Sequence, residues 1–208
     1  MQLYDLEKLS KISKKLKLRG KKIGLCHGVF DVIHAGHISH FEEVKKKCDY
    51  LFVTVTEDKF VNKGPNRPVN SHYFRAKVLA ALRQVNCVGI NYAEDAVKSI
   101  QAIKPDFYFK GKDYKGKKDL TLRLQKEKSA VAKNGGKIIF TESPLKSSTE
   151  IINKSFSYIF DSKLQKFLST KNKSNLLNDT LKSLKRAENL NALIIGDAII
   201  DQYDSVTP

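Results

Sequence analysis

Apolar positions along the chain fall into short blocks separated by longer, mixed stretches, and the two kinds alternate. Leu3, Leu6, Leu9, Ile12 and Leu16 recur at helical spacing with lysines between them. That spacing predicts an amphipathic first helix packed on the rest of the fold. KIGLCHG, Lys22–Gly28, reads as a strand entering a loop, and Ile38, Phe41 and Val44 carry a helical period over 37–48. YLFVTVT, Tyr50–Thr56, is a near-continuous β-branched and aromatic run, as in a strand covered on both faces. The polar loop EDKFVNKGPNRPVN follows, broken by Gly64, Pro65 and Pro68. Ser71 caps a predicted helix over 72–83, with His72 near its start. Strand NCVGIN, a helix around 94–103 and strand DFYFKG (Asp106–Gly111) come next. A helix over 119–133 ends at Asn134-Gly135-Gly136, strand KIIFTE follows, and Ser147, Ser148 and Thr149 offer caps for a helix from Glu150.

Strands alternating with helices of this length predict an α/β fold, a doubly wound parallel sheet. Ligands of such sheets bind at the carboxyl ends of the strands. HGVFDVIHAGH, EDKFVNKGPNRP, FKGKDYKGK and PLKSST all follow strands, so all four are expected on one rim. The expected organisation is a domain over 1–160, a polar, basic helical linker over 161–190, and an apolar strand opening a further unit over 191–208.

Composition changes this picture little. Of 208 residues, 41% are apolar and 29% charged, as in ordinary globular chains. No apolar run is long enough for a transmembrane helix, and the N-terminus lacks the apolar stretch of a secretion signal. Cys26, Cys48 and Cys87 are odd in number, without a CxxC pair, and sit in or beside apolar runs. Buried free thiols in a reducing cytoplasm are the expectation. The balance of 38 basic against 22 acidic residues leaves a formal charge of +16. The lysines are spread along the chain and no RNA-binding aromatic signature or zinc-finger spacing accompanies them, so nucleic acid is not an expected partner. An anionic small substrate answers to the same field.

The chemistry concentrates in GVFDVIHAGHISHF, Gly28–Phe41. His34 and His37 read either as polar residues of a strand–helix connection, as part of a metal cluster with His40, or as phosphate ligands. The metal reading is weak, because His34 precedes the helix and no carboxylate or cysteine completes a familiar spacing. For the phosphate reading, Gly28 and Gly36 admit close backbone approach, and the helix N-terminus offers free N–H groups to an anion. Two imidazoles there can donate hydrogen bonds to a phosphate whose charge grows in a transition state.

GVFDVIHAGH resembles the G-x-F-D-x-x-H-x-G-H signature of the cytidylyltransferase-like nucleotidyltransferase superfamily, carried by Gly28, Phe30, Asp31, His34, Gly36 and His37. KGPNRPVN, RAKVLAAL, KPDFYFKGKDY and SSTEII follow in the order this superfamily has, and over about residues 20–155 the chain is most similar to the adenylyltransferase domain of bifunctional heptose-phosphate enzymes. The resemblance implies a Rossmann-like fold and in-line attack of a phosphorylated acceptor on the α-phosphate of a nucleoside triphosphate, with Mg²⁺ travelling on the triphosphate. It implies catalytic roles for His34, His37 and Lys63. It places Gly28, Val29, Phe30, Asp31, Gly36, Lys110, Gly111, Asp113, Ser147, Ser148 and Thr149 around the nucleotide, and Arg67 and Arg75 on phosphate. Outside the resemblance, Lys63, Arg67 and Arg75 also read as solvated surface charges, Asp113 as a turn former, and Ser148 and Thr149 as helix caps. A homodimer in the cytoplasm is the default for such an enzyme.

Two departures bear on the substrate. Related cytidylyltransferases carry an arginine-containing R-T-x-G-I-S-T segment before the last helix, whereas this chain has FTESPLKSST. That favours ATP over CTP, with a CTP-dependent enzyme for a polyol phosphate as the alternative and a non-catalytic nucleotide-binding module as a third. Lys112 stands where heptose enzymes tend to have glycine, which leaves the acceptor open. At the C-terminus, LIIGDAIIDQYDSVTP resembles the opening strand of ribokinase-like sugar kinases through Gly196, Asp197 and Asp201.

Overall fold

The computed structural model describes residues 3–64, 67–112, 121–142 and 173–188. Six parallel strands run β1 (Leu3–Tyr4), β2 (Ile23–Gly28), β3 (Tyr50–Thr56), β4 (Cys87–Asn91), β5 (Phe107–Gly111) and β6 (Lys137–Thr141), in the spatial order β1-β4-β3-β2-β5-β6. Between them lie α1 (Leu6–Lys17), α2 (Ala35–Lys45), α3 (His72–Ala80), α4 (Val97–Ile103) and α5 (Thr121–Lys133). The doubly wound parallel sheet is therefore the one the alternation predicts.

Period-2 side-chain alternation sorts the strands onto two cores. Leu25 of β2, Phe52 of β3 and Tyr108 of β5 face one layer with Leu9 and Leu16 of α1 and Ile100 of α4. Cys26, Val53, Val55 and Phe109 face the other, with Phe41 and Val44 of α2 and Leu79 of α3. Each fully buried side chain of this size contributes about 1.5–3 kcal/mol. Cys26, Cys48 and Cys87 are all buried and free.

One element departs from the apolar pattern. Leu3 does not continue the helical face of Leu6 and Leu9: it pairs with Val88 in β1, at the sheet edge. The chain turns into α1 at Asp5, whose carboxylate accepts from the Lys8 N–H at 2.6 Å.

From β2 the strand order proceeds to β3 and β4 on one side and to β5 and β6 on the other. That divergence opens a crevice beyond the carboxyl ends of β2 and β5, where open α/β sheets bind ligands. Residues Met1–Ser155 form one compact unit and Phe156–Pro208 another. In the second, residues Lys173–Ala187 form α6, inside the expected linker. The expected strand over 191–208 lies outside the described residues.

Candidate active site

β2 ends at Gly28 and α2 begins at Ala35, so Val29–His34 form the loop over the crevice. Phe30 holds φ of 52°, an unusual conformation for a bulky residue of the kind found at functional sites. It lays the Phe30 ring against Gly28, where a Cβ would meet the ring at 3.2 Å. The ring continues onto His37, edge to face at 5.5 Å, and onto Phe41 at 5.7 Å. Gly28 therefore makes room for an aromatic ring that braces His37.

His34 is the N-cap of α2. Its Nδ1 accepts from the Gly36 N–H at 3.1 Å, and His37 Nδ1 reaches back to the His34 N–H at 3.4 Å, closing a reciprocal capping box. The His37 N–H bonds the His34 carbonyl at 2.9 Å. This corrects the expectation of free helix N–H groups: those of Gly36 and His37 are satisfied inside the turn. The donors come from the imidazoles instead. An accepting Nδ1 forces the single proton of a neutral ring onto Nε2. Burial lowers the pKa of His34, and burial above all, together with the neighbouring His34, His40 and Lys63, takes His37 to about 3. Both rings are neutral at pH 7 and lie 3.9 Å apart. His34 Nε2 is buried and has no hydrogen-bond partner among the described residues.

Beyond β2, β3 and β5 lies a cavity of about 160 Å³ whose wall includes Lys63, Lys110, Arg123, His27 and Glu127. Lys63 is exposed at its rim. Lys110 is buried, its Nζ 2.9 Å from Glu127, and the other oxygen of Glu127 accepts from the Ala96 N–H at 3.2 Å. Gly111 closes β5 beside it. His27 sits between Thr54 at 2.9 Å and Thr56 at 3.3 Å, and burial drives its pKa to about 3.

Three residues expected around the ligand are placed in the walls. Asp31 is fully buried and accepts from the N–H groups of Val69 at 2.8 Å and Asn70 at 3.1 Å and from Arg67 Nε at 2.7 Å. Burial alone raises a carboxyl pKa, but these donors outweigh it and hold Asp31 below its ordinary value. Arg67 keeps a buried Nη2 without a hydrogen-bond partner among the described residues. Arg75 is also buried: it donates to the carbonyls of Asn70, Val29 and Thr56 and to Asp58. Its guanidinium is committed to the loop scaffold, so a phosphate would have to displace those partners. Asp113, Ser147, Ser148 and Thr149 lie outside the described residues.

Sequence reasoning passed over Arg123 and Glu127, which carry no local motif and meet the site only through the packing of α5. It assigned His27 no role, although its position directly before Gly28 is the signal that places it at a strand's carboxyl end. Among the described residues, no three His, Cys, Asp or Glu side chains are gathered for a metal ion. None of the described helices is long and apolar enough to cross a membrane.

The two partly buried imidazoles of lowered pKa, His27 and His37, fix a pH dependence. An imidazole at about 3 when folded and 6.5 when unfolded takes its proton more readily in the unfolded chain. Stability is therefore full above pH 6.5 and declines as pH falls toward 3, by about 1.4 kcal/mol per pH unit per histidine. The carboxylates act only lower, below the ordinary value of 3.8. Urea midpoints should drop clearly between pH 7.5 and 5, and His27→Asn should reduce that slope by about half. Equal midpoints at the two pH values would contradict the burial of both rings.

The class of protein follows from sheet order, crevice and paired histidines: a Rossmann-like nucleotidyltransferase. The sequence model described as cytidylyltransferase-like matches residues 25–154, and the chain belongs to that family. The bifunctional protein HldE of Nitratiruptor sp. is 39% identical over 127 residues, 60% of this chain and 28% of that protein. HldE of Campylobacter fetus is 36% identical over 155 residues, 74% of this chain and 31% of the relative. The chain thus spans less than a third of the length of these relatives. A lipopolysaccharide core biosynthesis protein from Thermoplasma volcanium is similar in structure, with TM-score 0.51 and 26% identity, over 61% of this chain and 100% of that one.

Proposed function

We propose that this domain transfers a nucleoside monophosphate, AMP in preference, from a nucleoside triphosphate to a sugar phosphate. An acceptor phosphate oxygen attacks the α-phosphorus, the bond to the bridging oxygen breaks, and pyrophosphate leaves. The observation that carries this reading is the pair of neutral imidazoles, each with Nδ1 occupied by a backbone N–H and Nε2–H left to donate. Such donors stabilise charge on the α-phosphate as it grows, and no enzyme nucleophile is needed. Lys63 and the unpartnered Nη2 of Arg67 supply positive charge to the phosphates. Lys110 and Gly111 border the nucleotide side at the end of β5, with Asp113, Ser147, Ser148 and Thr149 assigned there by the family resemblance. Mg²⁺ enters on the triphosphate, as part of that substrate.

A sugar phosphate is supported by the resemblance to heptose-phosphate enzymes and by the HldE relatives. The cavity agrees in chemistry, since Lys63, Lys110 and Arg123 bring positive charge to its wall for a phosphate. The Thermoplasma protein's role in lipopolysaccharide core synthesis points to surface polysaccharide as the destination. The reading includes a cytoplasmic homodimer without nucleic acid or membrane partners, in line with lysines spread over the chain rather than clustered.

Pyrophosphate release tests it, with ATP and CTP supplied separately against sugar 1-phosphates and polyol phosphates in the presence of Mg²⁺. Release with ATP and a heptose or related sugar 1-phosphate is expected. Release with CTP alone would keep the chemistry and overturn the nucleotide. Nucleotide binding without release on any acceptor would favour a binding module.

A further inference from the structure

A third histidine on α2 takes part in a different network. His40 lies one turn beyond His37, with Nδ1 2.7 Å from the hydroxyl of Thr141 at the end of β6 and Nε2 3.4 Å from Cys26 Sγ in β2. Thr141 in turn donates to the Lys110 carbonyl of β5 at 3.3 Å. Cys26, Thr141 and Lys110 are all buried.

One direction of this chain starts from the Thr141–Lys110 bond. With the single hydroxyl proton of Thr141 given to the Lys110 carbonyl, the Thr141 oxygen accepts from His40. His40 Nδ1 therefore carries the proton, and its Nε2 lone pair accepts from the Cys26 thiol. Burial raises the Cys26 pKa well above its ordinary value, which keeps that thiol protonated. In this direction His40 takes the opposite tautomer to His34 and His37. One turn further on, the Glu43 carboxylate receives the Glu142 N–H at 3.1 and 3.2 Å, so α2 is fastened to the end of β6 at two successive turns.

We propose that His40 is a positioning residue for the transfer reaction: the chain Cys26 → His40 → Thr141 → Lys110 carbonyl fixes the helix that carries His34 and His37 to β2, β5 and β6. These include both strands bordering the crevice. The inference rests on the nucleotidyltransferase reading, because it assigns His40 the task of holding the two donor imidazoles at the reacting phosphate. A helix held only by apolar packing can slide or rotate by fractions of an ångström, and misplacement of about 1 Å at a reacting centre costs up to roughly 100-fold in rate.

The test combines kinetics with a tautomer measurement that does not depend on turnover. His40→Leu should lower kcat by about 10- to 100-fold while leaving KM for the triphosphate within about two-fold. Thr141→Val should give the same loss, and the double variant no more than either single one. His40→Asn, whose amide N–H stands near the position of Nδ1, should recover most of the rate; so should Thr141→Ser. Nitrogen-15 spectra of the wild-type chain should show His40 protonated on Nδ1 and His34 and His37 on Nε2, with the Nδ1 signal of His40 shifting in Thr141→Val.

Wild-type kcat in both His40→Leu and Thr141→Val would overturn the proposal. So would losses that multiply in the double variant, a change confined to KM, or His40 protonated on Nε2. If the wild-type chain released no pyrophosphate from any substrate, the functional reading would fail. The spectra would then still decide whether the hydrogen-bond chain exists as described.

Discussion

Replacing His37 by alanine is expected to lower kcat for pyrophosphate release by about 10²–10³-fold, the usual cost of removing one donor from a charge-stabilising site. KM for the triphosphate should change little, because the ground-state triphosphate carries less charge at the α-position than the transition state does. Two things leave the site with this side chain: the Nε2–H donor, and the Nδ1 acceptor that caps the His34 N–H at 3.4 Å. Asparagine and glutamine separate them. His37→Asn keeps an acceptor near Nδ1 and loses the distal donor, so it should be as slow as alanine. His37→Gln places an amide N–H near Nε2 and should recover part of the rate. The opposite ranking, asparagine fast and glutamine slow, would make His37 a helix cap and remove it from the chemistry. Thermal unfolding of each variant, measured alongside, keeps loss of fold separate from loss of donor.

Much of this site is legible in the sequence, and the remainder is hidden for physical reasons. Strands buried on both faces read as continuous apolar runs, which is why Tyr50–Thr56 has the same bounds in sequence and structure. Leu3 misleads because its i, i+3 spacing to Leu6 suits a helix as well as an edge strand. Only the partner Val88, far along the chain, makes it a strand. His34 and His37 are legible because a local spacing around Gly36 builds the turn that holds them. Their tautomers are not, since these depend on which backbone N–H each Nδ1 meets. Asp31 and Arg67 face each other across 36 residues of sequence, and Glu127 meets Ala96 across 31. Neither separation leaves a pattern in composition or period. The same holds for His40, which reads as an ordinary polar residue on a helix face until Thr141 and Cys26 are seen beside it.

Arg75 shows this difference between a letter and its surroundings most sharply, and its substitution should have the largest effect on folding. Its side chain is wholly buried and gathers three separate segments. Nε donates to the Asn70 carbonyl at 2.9 Å, one Nη to the Val29 carbonyl, and the other to the Thr56 carbonyl at 2.7 Å and to Asp58 at 2.5 Å. Val29 opens the histidine loop, and Thr56 with Asp58 leads into the segment that ends at Lys63. Asp58 also meets His72 Nδ1 at 2.8 Å, at the first turn of α3. Removing one partner from such a cluster leaves the others desolvated without compensation, at a cost of about 3–5 kcal/mol. Arg75→Met should lower the unfolding free energy by that amount and activity with it. Arg75→Lys keeps the charge but not the planar fork, so it cannot serve all these acceptors at once and should be intermediate. A direct phosphate contact gives the opposite signature: KM for a phosphorylated substrate would rise in both variants while the denaturant midpoint stayed put. Urea unfolding and KM, measured on the same two variants, therefore decide whether Arg75 builds the loops around the site or grips the substrate within it.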